Sequence, residues 1–250
     1  MNKAQALGST TAKNGFANED DIVSKFNNWK KDEDAQKWLL TMEYDLNEIE
    51  YVTAVKISGY KTDVQVQVTI KLIKEIDVQN LQVKLVSNLK GFNQIDKRWV
   101  VKYIEMWNIP TKISNLLKLY TGEIVQDEIQ TKDARRMFAN EFSDKDKKLL
   151  INWINKNKSL IVCDILKGRG KLSAEWMLVA QKVDINARWI LKPINYCLNF
   201  FGNGDVSITK QGNIKIGRIT MQRKGGDGGR DTAKMLQFKI NPAELFDEEV

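Results

Sequence analysis

The 250-residue sequence contains no histidine, two cysteines and three prolines. Without histidine there is no imidazole base or ligand, which excludes nucleases with a catalytic histidine, HExxH zinc hydrolases and Ser-His-Asp hydrolases. The two cysteines, Cys163 and Cys197, lie far apart in apolar stretches, which predicts reduced core thiols rather than a disulfide framework or a zinc site. Imidazole is therefore excluded as a general base, a zinc ligand or a member of a catalytic triad.

Long hydrophobic runs are also absent. No run approaches the roughly eighteen apolar residues of a membrane span. The first sixteen residues lack the apolar segment of a signal peptide, so we expect a cytoplasmic protein with no membrane partner. With 42% hydrophobic residues the chain can bury one sizeable core. We predict a single domain over residues 1–250, with a core over about 10–120, a helical middle over about 130–158 and a basic part over about 160–250.

Positive charge is concentrated in two windows of a chain whose formal net charge is +7. Residues 210–239 hold eight bases against two acids, for +6, and residues 82–102 hold five bases against one acid, for +4. Such windows suit a polyanion, because neutralised phosphates release their counterions. Solvated lysine-rich edges produce the same pattern, so charge alone leaves both interpretations open.

Hydrophobic periodicity predicts an α/β fold with a central sheet, an α-helical middle and a basic, β-rich C-terminal part. The stretches with helical spacing are 15–29, 32–42, 99–119 with a second piece after Pro110, 133–142, and 147–157 after the cap Ser143. The stretches with strand character are 49–60, 62–72 and 76–87, which we expect to be antiparallel, then a hairpin turning at 210–213 and a last strand at 235–241. Segments 159–168 and 174–183 read as strands or as buried segments of ambiguous type.

Two of these strands carry polar side chains that would meet. In the third, Leu81 and Val83 alternate with Gln82 and Lys84, and antiparallel pairing with the second would bring Asp63 beside that polar face. A carboxylate and an amide oxygen can hold Mg²⁺, and a lysine can orient water or stabilise charge on a phosphate, so the trio indicates phosphodiester hydrolysis. The solvated face of an ordinary antiparallel strand shows the same alternation, and spacing alone favours that simpler interpretation.

A resemblance to a known family weighs against that simpler interpretation. Asp63, eighteen intervening residues and Gln82-Val83-Lys84 resemble the PD-(D/E)XK nuclease motif, with glutamine at the acidic position. Nearly the whole chain resembles type II restriction endonucleases that cut GCGC, relatives of MspI; the similar strings include "ISGYKTDVQVQV", "LQVKLVSNLKGFNQIDKRW", "TKDARRMF" and "QRKGGDGGRDTAKMLQFKI". The resemblance implies an α/β, restriction-endonuclease-like core with a central mixed β-sheet flanked by helices. It also implies Mg²⁺, double-stranded DNA as substrate, 5′-phosphate ends, and a companion DNA methyltransferase in a bacterial host.

The same resemblance assigns roles to individual residues. Asp63 becomes the principal metal ligand, Gln82 a second ligand through its side-chain oxygen, and Lys84 the catalytic lysine. The family often uses the carbonyl between the last two, here that of Val83, and a glutamate from the first helix, here Glu19. An acid favoured by the helix dipole explains Glu19 equally well.

DNA contacts are predicted from the basic windows. An exposed Phe92 flanked by hydrogen-bond donors would insert between base steps, although the ring could instead fold onto the core. Arg223 and Lys224 precede a glycine-rich stretch that permits close approach to guanine O6 and N7. That stretch does not match GxxxxGK[ST], so no nucleotide cofactor is expected. The full set of DNA-contact candidates is Phe92, Asn93, Gln94, Lys97, Arg98, Arg169, Arg223 and Lys224.

Two other functions stay open at this stage. A non-catalytic, sequence-specific DNA-binding protein on a nuclease-like fold would share the basic windows without needing Asp63, Gln82 and Lys84 to converge. An RNA-processing nuclease is disfavoured because no RNA-recognition signature is present. The sequence leaves open a monomer or a homodimer, one or two metal ions, and the position of the cut.

Overall fold

The computed structural model describes residues 3–70, 75–125, 131–183, 187–226 and 229–247. Its contacts divide the chain into two compact units. We call Leu7–Asn93, Leu166–Cys197 and Asn241–Val250 the first unit, and Met1–Ala6, Gln94–Ile165 and Leu198–Ile240 the second unit. That the chain forms a single domain stays a prediction.

Helices and strands occur in successive runs along the described chain. The helices are α1 (Lys3–Asn27), α2 (Glu33–Thr41), α3 (Val100–Trp107), α4 (Thr111–Thr121), α5 (Asp144–Lys156), α6 (Lys158–Leu166) and α7 (Ile194–Gly202). The strands are β1 (Ile49–Lys56), β2 (Val64–Ile70), β3 (Glu75–Val86), β4 (Asn93–Arg98), β5 (Trp176–Gln181), β6 (Arg188–Pro193), β7 (Val206–Ile208), β8 (Ile214–Ile216), β9 (Ile219–Arg223) and β10 (Leu236–Ile240).

The first unit is built on a mixed sheet with strand order β1-β2-β3-β5-β6. Strands β1, β2 and β3 pair antiparallel, β3 and β5 pair parallel, and β5 and β6 pair antiparallel. The predicted α/β class, the central mixed sheet, the two N-terminal helices and the antiparallel order of the first three strands are therefore confirmed.

Alternating side chains explain how β2 joins the core of this unit. Val64, Val66 and Val68 are fully buried, whereas the intervening glutamines are partly exposed. Helix α1 adds Phe26 to the same core, where the ring lies 5.1 Å from that of Trp38 in α2. Each fully buried side chain of this size contributes about 1.5–3 kcal/mol by leaving water, so the core fixes the register of the strands that follow.

The second unit contains a sheet with strand order β4-β10-β9-β8-β7. As predicted, the helical stretch after Trp99 is broken near Pro110: α3 ends at Asn108 in a left-handed conformation, and α4 begins directly after the proline. Helix α4 in turn ends at Gly122, whose φ of 79° suits glycine. The predicted hairpin is also present, since β7 and β8 pair antiparallel across residues 209–213.

One predicted helix is wrong. Residues 133–142 form only a short 3₁₀ turn at Ala139–Glu141. The Asp133 carboxylate accepts hydrogen bonds from the Arg135 backbone N–H and guanidinium, and the Met137 N–H donates to the Leu119 carbonyl at 3.0 Å. These contacts replace the local hydrogen bonds that a helix would use.

The two ambiguous segments divide between the two structures. Residues 174–183 contain strand β5, whereas the segment 159–168, predicted as a strand or as a buried segment of ambiguous type, lies mostly in helix α6. Five of the last six residues of α6 are buried, and so continuous an apolar stretch shows neither a helical nor a strand period in the sequence. Of the two cysteines, neither forms a disulfide, and burial raises the pKa of Cys197 to about 12. No helix in the described ranges is long and apolar enough to cross a membrane.

Candidate active site

Asp63, Gln82 and Lys84, which we call the polar cluster, lie where β2 pairs with β3. Val64 lies opposite Leu81, and the Asp63 N–H donates to the Leu81 carbonyl at 2.9 Å. Extending this ladder by one residue places Asp63 opposite Gln82, on the face away from the valine core. The sequence argument for convergence therefore holds at the level of strand pairing.

A single carboxylate oxygen organises the cluster. Asp63 Oδ2 accepts a hydrogen bond from the Val83 N–H at 2.7 Å and lies 3.6 Å from Lys84 Nζ. The same ammonium donates to the Val83 carbonyl at 2.9 Å, and the Lys84 side chain is only 12% exposed. A charge-assisted contact in so dry a position fixes both side chains more firmly than a surface ion pair would.

Gln82 departs from the simple picture of a solvated strand face. Its residue surface is 2% exposed, and Oε1 is buried without a hydrogen-bond partner in the described part of the chain. Leaving such an acceptor unpaired costs about 1–3 kcal/mol. Because the unpaired oxygen destabilises the fold, stability does not explain why glutamine occupies this position. A ligand that binds the oxygen does explain it.

Glu19 of helix α1 belongs to the same electrostatic cluster. Burial raises its pKa, repulsion from Asp63 raises it further, and Lys56 and Lys84 oppose the shift. A carboxylate oxygen of Glu19 lies 3.7 Å from Lys56 Nζ, which also contacts Asp20 at 2.9 Å. Lys56 sits on an exposed strand position, and nothing in the sequence distinguished it from other surface lysines.

These residues fit a hard divalent cation if the amide takes part. Among the described residues, no group of three or more histidine, cysteine, aspartate or glutamate side chains could hold a metal ion. Asp63, Glu19 and the unpaired oxygen of Gln82 would supply three oxygen donors of the type that Mg²⁺ prefers. The Val83 carbonyl is already engaged by Lys84, which makes it the weakest of the predicted ligands.

The sequence also matches a known family. The family model for the R.HinP1I restriction endonuclease matches residues 42–246, a range that includes Asp63, Gln82 and Lys84. The chain belongs to the R.HinP1I restriction endonuclease family. It is thus a type II restriction endonuclease, a site-specific DNA endonuclease, and enzymes of this kind generally use a divalent metal ion.

One solved structure supports the fold of this family member. Restriction endonuclease MspI in complex with its cognate DNA matches with a TM-score of 0.67 and 17% sequence identity. The match covers 96% of this chain and 93% of that chain. No curated protein sequence matches this chain significantly.

The loop between β3 and β4 of this R.HinP1I family member carries Phe92, the residue predicted as a wedge. Phe92 is 48% exposed, so about half of its surface is open to solvent. Two hydrogen bonds hold the loop, one at its end and one near its middle: Asn93 Nδ2 donates to the Leu85 carbonyl at 2.9 Å, and Asn241 Nδ2 donates to the Leu89 carbonyl at 2.9 Å. The amide of Asn93 is therefore already engaged by the backbone.

Arg169 lies on a loop that packs beside the polar cluster. Thr62, the neighbour of Asp63, donates its hydroxyl to the Leu172 carbonyl at 2.8 Å. A Cβ at Gly168 would lie 2.4 Å from Lys61 Cγ, so only glycine permits this close approach. Arg169 is exposed on this loop, in the first unit with Asp63.

The remaining candidates lie in the second unit and differ in availability. Gln94 and Lys97 are exposed on β4. Arg98, by contrast, donates hydrogen bonds from Nε and Nη2 to the carboxylate of the buried Asp96, at 3.1 and 3.2 Å. Arg223 ends β9 and Lys224 follows it; the Lys224 N–H donates to the Met235 carbonyl at 2.8 Å. Arg98 is thus the most strongly engaged of these cations.

Proposed function

We propose that this restriction endonuclease cuts double-stranded DNA at GCGC, using Mg²⁺ and leaving 5′-phosphate ends. The observation that carries the proposal is the unpaired, buried oxygen of Gln82 on the strand face shared with Lys84 and opposite Asp63. The family supports the endonuclease activity, and the GCGC site rests on the resemblance of the sequence strings. A companion methyltransferase would protect the same site in the cytoplasm of a bacterial host.

The ligand set would combine one charged and one neutral oxygen. Asp63 and Gln82 would hold the cation, and Glu19 would stand by as an accessory acid whose raised pKa reflects burial and the nearby Asp63 charge. When bound, Mg²⁺ would supply Lewis-acid stabilisation of phosphate oxygens and a lowered pKa for attacking water. An amide ligand adds no charge, so we expect weaker metal affinity than a second carboxylate would give.

Lys84 would act on the scissile phosphate. Its ammonium is held by Asp63 and the Val83 carbonyl in a position that is 12% exposed. A positive charge fixed in so dry a place stabilises the additional negative charge that develops on the phosphate during in-line attack. The fixed ammonium also orients water by hydrogen bonding, so chemistry requires little rearrangement of this side chain.

The exposed cationic side chains and Phe92 would contact the DNA duplex. Phe92 would insert between base steps, Arg169 and Lys97 would contact phosphates, and Arg223 and Lys224 would lie in the recognition region. Gln94 and Asn93 would have the role of groove contacts, with Asn93 limited by its backbone hydrogen bond. Arg98 would act only if its pair with Asp96 were exchanged for a phosphate.

Digestion of plasmid DNA tests this proposal. Unmethylated plasmid is incubated with and without Mg²⁺, the ends are sequenced, and a plasmid methylated at GCGC serves as the control. We expect Mg²⁺-dependent fragments ending at GCGC, with 5′-phosphates and no cutting of the methylated plasmid. Sequence-specific binding that is indifferent to Mg²⁺ and leaves the strands intact would instead support the non-catalytic alternative.

A further inference from the structure

Three arginines of the second unit interact electrostatically with a single carboxylate. Arg135 binds Asp133 through two hydrogen bonds, at 2.8 and 3.0 Å. Arg136 reaches the same carboxylate only at 3.9 Å, and Arg223 is close enough for Arg135 and Asp133 to shift its pKa. We call Arg135, Arg136 and Arg223 with Asp133 the arginine cluster. Its charge is +2, because one acid serves three bases.

Arg136 is fixed in orientation and shielded from water. Its guanidinium carbon lies 3.8 Å from the centre of the Phe138 ring and 5.7 Å from that of Tyr120, and its side chain is 13% exposed. Burial lowers its pKa, and the like charge of Arg223 lowers it further. No hydrogen-bond acceptor in the described ranges satisfies this guanidinium, although its fork is held by two aromatic faces.

Arg223 shows the same lack of compensation. Its Nε is buried without a hydrogen-bond partner in the described part of the chain. Burial lowers its pKa and Arg135 lowers it again, while Asp133 acts in the opposite direction. An unpaired buried donor on a charged side chain destabilises the free protein, so the arrangement is costly unless a ligand supplies acceptors.

The surrounding backbone holds the cluster in place. The Tyr120 hydroxyl donates to the Met221 carbonyl at 3.0 Å, two residues before Arg223. A Cβ at Gly122 would lie 2.1 Å from the Arg135 carbonyl oxygen, so glycine permits the segment to pack closely on the end of α4. The guanidiniums of Arg136 and Arg223 are therefore attached to segments that are held by tertiary contacts.

We propose that Arg136 and Arg223 bind the O6 and N7 acceptors of guanine in the recognition sequence, with Arg136 as the principal specificity-determining residue. This inference rests on the proposed function, because it needs a duplex with guanine in the site. The planar guanidinium of Arg136, which contacts the Phe138 ring and is largely shielded from solvent, matches the bidentate acceptor pair of guanine. Phosphate oxygens offer the same acceptor chemistry, but the exposed lysines and Arg169 are better placed to follow a solvated backbone.

Binding measurements on modified duplexes test this inference. The cognate duplex is built on the site read from the sequenced plasmid ends, so an error in GCGC is detected before this experiment begins. Wild type, Arg136→Ala and Arg136→Lys are titrated, with Ca²⁺ in place of Mg²⁺, against three duplexes: cognate, scrambled, and cognate with 7-deazaguanine at one position in turn. Arg188→Ala is the matched control, since Arg188 also stacks on a phenylalanine ring, at 4.8 Å from Phe246.

We expect Arg136→Ala to weaken cognate binding by about 5- to 150-fold, the loss that corresponds to one bidentate base contact, and scrambled binding by less than about 3-fold. Arg136→Lys keeps the charge and loses the fork, so it should lose most of the same specificity. One 7-deazaguanine position should weaken wild type but cause no further loss in either variant. Arg188→Ala should leave the cognate-to-scrambled ratio unchanged.

Two results would overturn the inference while leaving the endonuclease proposal intact. Equal losses on cognate and scrambled duplexes, restored by Arg136→Lys, would mean a phosphate contact. A 7-deazaguanine penalty that persists undiminished in both Arg136 variants at every position would mean that another residue reads guanine. Thermal unfolding of each variant accompanies the titrations, and Arg136→Lys decides the question if Arg136→Ala does not fold.

Discussion

The polar cluster around Asp63 and the arginine cluster differ in how their charges are compensated. In the first, every charge has a neighbour of opposite sign: Lys84 lies 3.6 Å from Asp63, and Glu19 lies 3.7 Å from Lys56. In the second, Arg136 and Arg223 share an acid that is already bonded to Arg135. Among the described residues, the first cluster leaves the neutral oxygen of Gln82 without a hydrogen bond, and the second leaves Arg223 Nε without one and Arg136 with only a 3.9 Å contact to Asp133. This difference suits a cation-binding reaction centre and an acceptor-binding recognition site.

The largest effect is expected at the charged ligand. Asp63→Asn removes the charge that would hold Mg²⁺, while its amide oxygen can still accept the hydrogen bond from the Val83 N–H, so cleavage should fall by at least about 10³-fold and lose its Mg²⁺ dependence. Initial rates over a Mg²⁺ titration measure this change. Asp45→Asn is the control, because Asp45 is exposed and caps only a local turn. Retained Mg²⁺-stimulated cutting in Asp63→Asn would place the metal elsewhere.

Removal of the buried ammonium should come next. Lys84→Ala should lower the cleavage rate by about 10²- to 10³-fold, the loss that follows from removing one fixed charge at a developing anion. Binding to the cognate duplex should change by only a few-fold, because the charge matters mainly in the transition state. Single-turnover rates and binding titrations separate the two effects. The exposed Lys102, paired with Glu105, supplies the control Lys102→Ala, and near-normal turnover of Lys84→Ala would overturn its role.

Arg223 and Lys224 test the recognition side of the comparison. Arg223→Ala should cost about 1–3 kcal/mol on the cognate duplex and much less on random DNA, because its guanidinium would meet guanine. If Lys224 contacts a phosphate instead, Lys224→Ala should weaken both duplexes together and reduce the salt slope by about one unit. Titrations at several salt concentrations distinguish these outcomes, with the exposed Lys210→Ala as control. Equal losses on both duplexes would remove Arg223 from the base-reading set.

The smallest of the ranked effects is expected at the wedge. Phe92→Ala should slow cleavage by about tenfold by leaving the duplex unbent, with little change in which sequence is preferred. Leu89→Ala is a matched control on the same loop, since Leu89 is also exposed. Fluorescence of a base analogue at the central step reports unstacking directly. An unchanged fluorescence response in Phe92→Ala would show that the ring does not insert.

More of the polar cluster than of the arginine cluster could be predicted from the sequence, for a physical reason. Strand alternation is local, so the relative faces of Asp63, Gln82 and Lys84 followed from counting residues once two strands were paired. The burial of Gln82 did not follow, because spacing does not reveal which strand face is covered.

The arginine cluster depends on contacts that are distant in sequence. Tyr120 and Met221 are 101 residues apart, and the contact between them fixes where Arg223 lies. The segment carrying Arg136 was predicted as a helix, and its actual shape is set by the Leu119 carbonyl and the close approach at Gly122. Helical periodicity does not reveal such tertiary contacts, so the sequence distinguished Arg136 only by its charge.

Replacement of Gln82 tests most directly the central claim that its buried oxygen binds the metal ion. If the claim holds, removing this oxygen should lower activity without lowering stability. Gln82→Met keeps the volume and removes the unpaired oxygen; Gln82→Glu restores a charged ligand. Thermal unfolding and Mg²⁺-dependent cleavage are measured for both variants. We predict that Gln82→Met unfolds at the same or a higher temperature and cuts at least about 100-fold more slowly, whereas Gln82→Glu cuts within a few-fold of wild type at lower Mg²⁺. Wild-type cleavage by Gln82→Met, with an unchanged Mg²⁺ requirement, would contradict the claim that this oxygen serves the metal.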